Sequence, residues 1–298
     1  MTRILSLATI CAALLAPAAS AQTATRDPAT GDYRLTYTDI HGHTHTVTVE
    51  AADKVDPRLE LTVEPIAAGW RYGYAITSLA TDQARSPLLS WRMSCPPTDP
   101  ALRLSAPPTI SARVRTRRGP TECYFLVRDG GLAPGATVNG IVVESGWLPG
   151  ILEIRVAGTR DFVSWPSLEG EVPEEAYRMV EAIQGGTGGW HVEQGVGPAR
   201  DPAAAGSPTE ALDGVMEDLT TACELGWITS DAVCHSLQVK LREARKALAR
   251  SGVDAARGQL QSFLRELDAQ HGPEAGKHVG SLAYALLSAN VQHLLSRL

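Results

Sequence analysis

Residues 230–252 read SDAVCHSLQVKLREARKALARSG, and this stretch sets the fold class of the C-terminal part of the chain. Its apolar residues are spaced four, four, three and four apart: Val233, Leu237, Leu241, Ala244 and Leu248. That spacing follows the 3.6-residue period of an α-helix and places these side chains on one face. The predicted helix begins at Ser230 and ends at Gly252, a common residue just after a helix.

Three further helices are predicted around this one. The first follows the capping box Ser207-Pro-Thr-Glu210, in which proline occupies the first helical position. The other two helices are predicted from apolar residues with the same 3.6-residue period, one before and one after Gly272-Pro273. The apolar faces of the three helices consist of Leu212, Val215, Met216, Leu219 and Ala222; of Val253, Ala256, Leu260, Phe263 and Leu267; and of Val279, Leu282, Leu286, Leu294 and Leu298. Short connections make neighbouring helices antiparallel, so the sequence predicts a small helical bundle over 209–298.

The preceding part of the chain alternates with a period of two. Residues 33–37 and 44–50 alternate on either side of Gly42, which predicts a β-hairpin. Further strands are predicted at 59–63, 71–78, 88–93, 110–115, 122–127, 137–144 and 151–156. Short strands without intervening amphipathic helices indicate a sandwich or barrel. We therefore predict a β-sandwich domain over 27–184 with a terminal helix at 173–183, followed by the small all-α helical bundle.

Residues 185–208 are rich in glycine, proline and alanine, as in Gly185-Gly-Thr-Gly-Gly189. This composition is typical of a linker. A phosphate-binding loop is not favoured, because the Lys-Ser/Thr ending and a preceding strand are both missing. We therefore expect few contacts across this segment and two independent modules.

The first 21 residues have the pattern of a cleaved export signal. Arg3 precedes an apolar run at 4–15, and Ala19, Ser20 and Ala21 provide small residues at a cleavage site. A buried N-terminal helix is the alternative interpretation. Cleavage after Ala21 predicts an exported protein, located in the periplasm or outside the cell.

Four cysteines remain once Cys11 leaves with the signal: Cys95, Cys123, Cys223 and Cys234. An even number of cysteines in an exported chain indicates disulfides, and four cysteines allow three connectivities. Distance along the chain and module membership favour Cys95 with Cys123 and Cys223 with Cys234. A zinc site is the competing interpretation, but the chain has no C-x-x-C pair to start one.

Composition excludes several functional classes. The 298-residue chain carries a formal net charge of −6, which argues against non-specific nucleic-acid binding. We expect no membrane span, because no interior apolar run is long enough. Nucleophile-elbow, H-E-x-x-H and dinucleotide motifs are missing, so we expect no catalytic residues and no cofactor. A hydrolase built from distant acidic residues is the alternative.

Three histidines recur at every second position beside the predicted hairpin turn: His41, His43 and His45. On an extended strand these side chains would share one face, where imidazole nitrogens could bind Zn²⁺, Cu²⁺ or Ni²⁺. The turn at Gly42 would break that face, and a solvated strand explains the same pattern. A metal-binding protein is thus a further alternative.

Aromatic side chains are the candidate ligand-facing residues. The chain has six tryptophans against three phenylalanines, and Trp70, Tyr72 and Tyr74 alternate along one strand. Together with Trp147 they could stack on a sugar, although a buried core would give the same alternation. We expect the partner to be a protein or a glycan at the cell surface or in the periplasm.

The C-terminal segment 228–298 resembles the FIMAH-type helical module of exported bacterial proteins. The resemblance rests on Ile228-Thr, Ser236-Leu-Gln-Val-Lys-Leu241, Gln259-Leu-Gln-Ser-Phe-Leu264 and the late Leu294-Leu295. It implies interaction or anchoring and carries over no catalytic residue. The N-terminal half resembles an uncharacterised exported bacterial β-domain, through Trp70-Arg-Tyr-Gly-Tyr74 and Glu144-Ser-Gly-Trp-Leu-Pro-Gly-Ile151. This second resemblance concerns architecture alone.

Overall fold

A computed structural model describes most of the chain after the predicted export signal, residues 1–21, which lie outside the described residues. The described residues are 22–82, 84–116, 120–159, 163–168, 170–184, 190–204, 206–272 and 274–298. They form two compact units. Unit 1 combines residues 22–50 with 163–181, and unit 2 combines residues 51–159 with 182–298.

Unit 1 contains a three-stranded antiparallel sheet in the order β1 (Thr23–Arg26), β2 (Tyr33–Thr38), β3 (Thr44–Val49). The predicted hairpin is confirmed as β2 and β3, paired from Tyr33 opposite Val49 to Thr38 opposite Thr44. The predicted boundary 27–184 places this hairpin in the sandwich domain. In the structure it belongs to unit 1 instead. Alternation places its apolar side chains on one buried face, namely Leu35, Tyr37, Val47 and Val49.

The later segment of unit 1 covers this buried face. The ring of Tyr37 meets the ring of Trp165 edge-on, with centroids 5.3 Å apart, and its hydroxyl lies 3.0 Å from Ser167 Oγ. Trp165 in turn contacts Tyr177, with centroids 5.0 Å apart. Tyr177 lies on helix α1 (Glu174–Gln184), which confirms the helix predicted after Pro173.

Unit 2 contains two antiparallel sheets that pack face to face. Their strands are β4 (Pro57–Ile66), β5 (Gly69–Ser78), β6 (Leu88–Ser94), β7 (Arg103–Ser105), β8 (Ile110–Arg115), β9 (Glu122–Val127), β10 (Thr137–Ser145), β11 (Leu148–Gly158) and β12 (His191–Arg200). The four-stranded sheet has the order β4-β5-β10-β7, and the five-stranded sheet has the order β12-β11-β6-β9-β8. Trp91 and Phe125 stack at the centre of the core with ring centroids 4.4 Å apart. The predicted β-sandwich is confirmed, with β4–β12 as its strands.

Strand β12 lies within residues 185–208, where the sequence predicts a linker. The linker prediction is wrong for 191–200, because these residues pair with β11 from Leu148 to Val156. The glycines here are required by close packing. A Cβ on Gly197 would lie 2.9 Å from Leu152 Cδ2, and one on Gly195 would collide with the Ile154 side chain. Both glycines are therefore buried in a sheet, where they allow side chains of the neighbouring strand to approach the backbone.

Four helices follow the sandwich: α2 (Pro208–Glu224), α3 (Asp231–Ala249), α4 (Val253–Gln270) and α5 (Ser281–Arg297). The predicted capping box is present, since Ser207 Oγ accepts from the Glu210 amide and the Glu210 carboxylate accepts from the Ser207 amide. Leu237, Leu260 and Phe263 are fully buried in the bundle core. The predicted helical bundle is confirmed. No helix in the described part of the chain is both long and apolar enough to cross a membrane.

Helix α5 is buried on two sides, because it belongs to two hydrophobic cores. Ala285, Leu286 and Ala289 pack into the sandwich core, against strands β4 and β11. Ala283, Leu287, Val291 and Leu294 pack into the bundle core. A helix with apolar residues all round is typically buried by neighbours on every side. The expectation of few contacts between two independent modules is therefore wrong: the sandwich and the bundle share a helix.

Two cysteine pairs lie at disulfide distance, in the connectivity that the sequence favours. The Cα atoms of Cys95 and Cys123 are 5.6 Å apart, and those of Cys223 and Cys234 are 6.2 Å apart. The first pair joins the end of β6 to β9, and the second joins α2 to α3. Each pair thus closes a connection between neighbouring elements.

Candidate functional site

A cavity of about 640 Å³ opens within unit 2, between the sandwich and the bundle. We call it the seam cavity. Its walls come from the start of β11, the end of β12, helix α2 and helix α5. The lining residues are Trp147, Leu148, Ala199, Arg200, Asp201, Ala204, Glu210, Ala211, Gly214, Val215, Glu217, Asn290, His293 and Arg297. Cavities of about 300–1,000 Å³ are the usual size for small-molecule sites.

Trp147 is held on the cavity wall by a turn with fixed geometry between β10 and β11. The Asp99 carboxylate accepts hydrogen bonds from Ser145 Oγ and from the Gly146 amide, and Ser145 Oγ accepts from the Trp147 amide at 3.1 Å. The Tyr72 hydroxyl donates to the Trp147 carbonyl at 2.6 Å. Both polar groups of the Trp147 backbone are therefore occupied, and the turn that carries this half-buried residue is held in place.

A buried polar network joins the three elements behind the cavity. Arg200 Nη2, at the end of β12, donates to Asp218 Oδ1 on α2 at 2.6 Å. Asn290 Nδ2, on α5, donates to Asp218 Oδ2 at 3.2 Å and to the Pro149 carbonyl at 3.0 Å. Gly214 leaves room for the arginine, because a Cβ there would lie 3.2 Å from Arg200 Nη1. The network ties the sandwich to two helices of the bundle.

Burial changes the ionisation of two groups at this place. It raises the pKa of Asp218 to about 7, although the ion pair with Arg200 acts in the opposite direction. It also lowers the pKa of His293, with the charge of Arg297 contributing. The Nε2 atom of His293 is buried and has no hydrogen-bond partner among the described residues. His293 lines the cavity, while its Nε2 atom is enclosed by surrounding protein atoms.

The four candidate ligand-facing aromatics fall into two groups. Trp147 lines the seam cavity. Trp70, Tyr72 and Tyr74 are at most 8% exposed and lie in the sandwich core, so for them the ligand-facing prediction is wrong. Alternation along β5 turns all three inward, where burial of large aromatic area stabilises the sandwich. Tyr72 still contributes to the site indirectly, through its hydrogen bond to the Trp147 backbone.

The three candidate metal-binding histidines lie beside carboxylates in unit 1. Asp39 accepts hydrogen bonds from His45 Nε2 at 2.8 Å and from the amides of His41 and His43. The side chain of His41 lies 3.3 Å from Glu171. Gly42, at φ +86°, breaks the common strand face. No group of three or more His, Cys, Asp or Glu residues in the described chain is arranged to hold a metal ion.

Glu193 and Asp56 are two neighbouring carboxylates relevant to the hydrolase alternative. Burial, with the charge of Asp56 contributing, raises the pKa of Glu193 to about 7. Asp56 also accepts a hydrogen bond from Thr81 Oγ1 at 2.8 Å. Neither carboxylate lines the seam cavity. The pair therefore does not supply an acid and a base to that site.

Sequence reasoning missed most of the site. Asp218 and Asn290 carried a usable signal, since each is a polar residue inside an apolar helical face, next to Leu219 and Val291 respectively. A polar residue at such a position needs a buried partner. Arg200 and Asp99 carried no such signal, because they lie in segments with turn and linker composition.

The helical bundle matches a known domain family. Residues 212–296 match the FIMAH domain. The match begins within α2, earlier than the resemblance at 228–298, and it extends through α3 and α4 to the last turn of α5. The segment that matches the FIMAH domain therefore supplies the helical walls of the seam cavity, through α2 and α5.

Solved structures give weaker likenesses. A protein from Nocardia farcinica, described as uncharacterized with an immunoglobulin-like fold, is 14% identical with a TM-score of 0.26, over 38% of this chain and 91% of that chain. A chain of the type VI secretion TssK-TssF-TssG baseplate subcomplex is 12% identical with a TM-score of 0.17, over 93% of this chain and 85% of that chain. TM-scores this low establish neither a shared fold nor a shared partner. No curated protein shows significant sequence similarity to the chain.

Proposed function

We propose that this protein is an exported, non-catalytic binding protein that holds its ligand in the seam cavity. Its partner is a protein or a glycan at the cell surface or in the periplasm. The observation that carries this proposal is a cavity of ligand size whose walls are shared by a β-sandwich and a FIMAH domain. The two cysteine pairs at disulfide distance support export, since disulfides persist in oxidising compartments.

Two carboxylates in or next to the cavity are bound by groups of the fold, which supports binding over catalysis. Asp218 is bound by Arg200 and Asn290, and the Glu210 carboxylate accepts from the Ser207 amide. A general acid or base must be free to exchange a proton with a substrate. These carboxylates instead hold elements of the fold together, so they support a structural role around a binding site.

Fluorine NMR of the full chain labelled with 5-fluorotryptophan tests the proposal. The Trp147 line is assigned with Trp147→Phe, and the labelled protein is screened against mixtures of small saccharides and short peptides. We expect at least one compound to shift the Trp147 line in a saturable manner. Ala204→Phe places a ring at the cavity rim and should abolish that shift.

Ala203→Phe is the matched control, because Ala203 is the exposed neighbour of Ala204 and does not line the cavity. It should leave the shift intact. Two results would contradict the proposal: no compound shifts the Trp147 line, or a shift persists unchanged in Ala204→Phe.

A further inference from the structure

Of the two partner classes, the lining of the seam cavity favours one. We infer that the cavity binds a neutral saccharide unit of disaccharide size, with the Trp147 ring as its stacking surface and the polar residues of α2, α5 and β12 as its hydrogen-bonding partners. This inference rests on the proposed function, because it names the ligand class of the same cavity.

The first step is the aromatic wall. The face of an indole ring carries partial negative charge, and the C–H groups on one face of a pyranose ring carry partial positive charge. The two surfaces are flat and complementary. Trp147 is half-buried and lines the cavity, and hydrogen bonds to its amide and carbonyl hold the backbone that carries the ring. A tryptophan side chain has only two χ angles, so it loses little conformational entropy when a sugar stacks on it.

The second step is the balance of charge. Among the lining residues, Arg200 and Arg297 are cationic, whereas Asp201, Glu210 and Glu217 are acidic. A site for an anion or a cation would have a lining of mainly one sign. Sugar hydroxyls donate and accept, so a lining that offers both kinds of group suits them better than it suits a charged ligand.

The third step is an unsatisfied nitrogen. His293 Nε2 is buried beside the cavity with no hydrogen-bond partner among the described residues. Buried polar atoms without partners are uncommon, because each one is unfavourable. A neutral imidazole nitrogen can donate to or accept from a hydroxyl, depending on its tautomer. In our proposal the His293 ring rotates to bring this atom to the cavity, where a bound sugar hydroxyl satisfies it.

The fourth step is the shape of the remaining wall. Ala199, Ala204, Ala211 and Gly214 have small or no side chains, and they leave backbone and methyl surfaces around the cavity. Such a wall lets a ring approach the backbone closely. Together with a volume of about 640 Å³, it accommodates a flat polar ring next to Trp147.

The test uses the full chain labelled with 5-fluorotryptophan and three neutral disaccharides as probes: cellobiose, maltose and N,N′-diacetylchitobiose. We expect at least one of them to shift the Trp147 line with a dissociation constant in the millimolar range or tighter. Trp147→Ala should weaken binding about tenfold or more, because the stacked area is lost. Trp147→Phe should retain part of the affinity. Binding to the alanine variant is followed by isothermal titration calorimetry.

Tyr177→Ala is the control for removal of an exposed aromatic ring, since Tyr177 is 39% exposed and does not line the cavity. It should bind the same disaccharide with unchanged affinity. His293→Ala should weaken binding by several-fold, whereas His293→Gln should restore part of it through the amide group. Binding that survives in Trp147→Ala at full affinity would overturn the inference.

A second arm separates the two possible failures, with N-acetylated dipeptides as probes. If dipeptides shift the Trp147 line and none of the three disaccharides does, the saccharide inference is wrong while the seam cavity remains a binding site. If neither class of probe shifts the line, the saccharide inference and the proposed function both fail.

Discussion

Helix α5 allows a sharp test of how the sandwich and the bundle are joined. Leu286 and Leu287 are adjacent in sequence and both fully buried, but Leu286 packs into the sandwich core and Leu287 into the bundle core. Truncation of a buried leucine to alanine lowers the free energy of unfolding by about 2–5 kcal/mol. We therefore expect Leu286→Ala and Leu287→Ala to destabilise unit 2 by similar amounts.

Each kcal/mol corresponds to about 2–4 °C in melting temperature for a unit of this size, so the expected decrease is about 4–20 °C. Thermal unfolding is followed by two signals from the same sample. Far-ultraviolet circular dichroism reports mainly on the helices, and the 5-fluorotryptophan line of Trp91 reports on the sandwich core. If α5 couples the two cores, both signals should change in one transition, and each variant should shift both.

Val239→Ala is the control, because Val239 lies on α3 and is 37% exposed. Exposed substitutions of this kind usually change stability by less than about 0.5 kcal/mol. The coupling would be refuted by a selective response. In that case Leu286→Ala would shift only the Trp91 signal, and Leu287→Ala would shift only the helical signal.

Three more predictions concern the cysteines and two buried carboxylates. Replacing Cys223 and Cys234 by alanine should lower the stability of unit 2 by up to about 3 kcal/mol, measured by thermal melts, since the closed loop is short. Hydrogen bonds hold the pKa of Asp39 well below its ordinary range, so its contribution is present above about pH 4 and is lost as the pH falls. Asp39→Asn should thus destabilise unit 1 at neutral pH and have less effect in acid, as followed by the Trp165 line. The pKa of Asp218 is raised to about 7, so the folded protein keeps a proton that the unfolded chain has lost above about pH 4. The stability of the wild type relative to Asp218→Asn should therefore fall as the pH rises from about 4 to 7, as measured by urea unfolding.

Much of the fold follows from periodicity, because an element that buries one face has a regular apolar pattern. Strand β5 and helix α3 are examples, and both occur where the sequence predicts them. The sequence does not predict strand β12, because its glycines give the segment the composition of a linker. In the structure these glycines allow close contact with Ile154 and Leu152. Helix α5 was predicted with one apolar face, whereas its second face became evident only from the sandwich against which it packs.

The candidate site was largely beyond sequence reasoning. Trp147 could be named from the sequence, because a tryptophan in a β-rich segment is a local feature. The network of Arg200, Asp218 and Asn290 is not local: 72 positions separate the last two, and each lies on a different element. A single sequence does not show how a helix is positioned on a sheet or on another helix. That positioning brings these three side chains together.

The discontinuous composition of unit 1 has a consequence for the order in which the chain can fold. Residues 22–50 of this unit leave a ribosome or a secretion channel first, while its residues 163–181 follow only after the entire segment 51–159. Until then, the apolar face of the β2–β3 hairpin has no Trp165 or Ser167 to cover Tyr37. A newly emerged chain therefore presents an uncovered sheet while residues 51–159 are synthesised or transported, and the apolar face of the hairpin is open to non-native contacts during that interval.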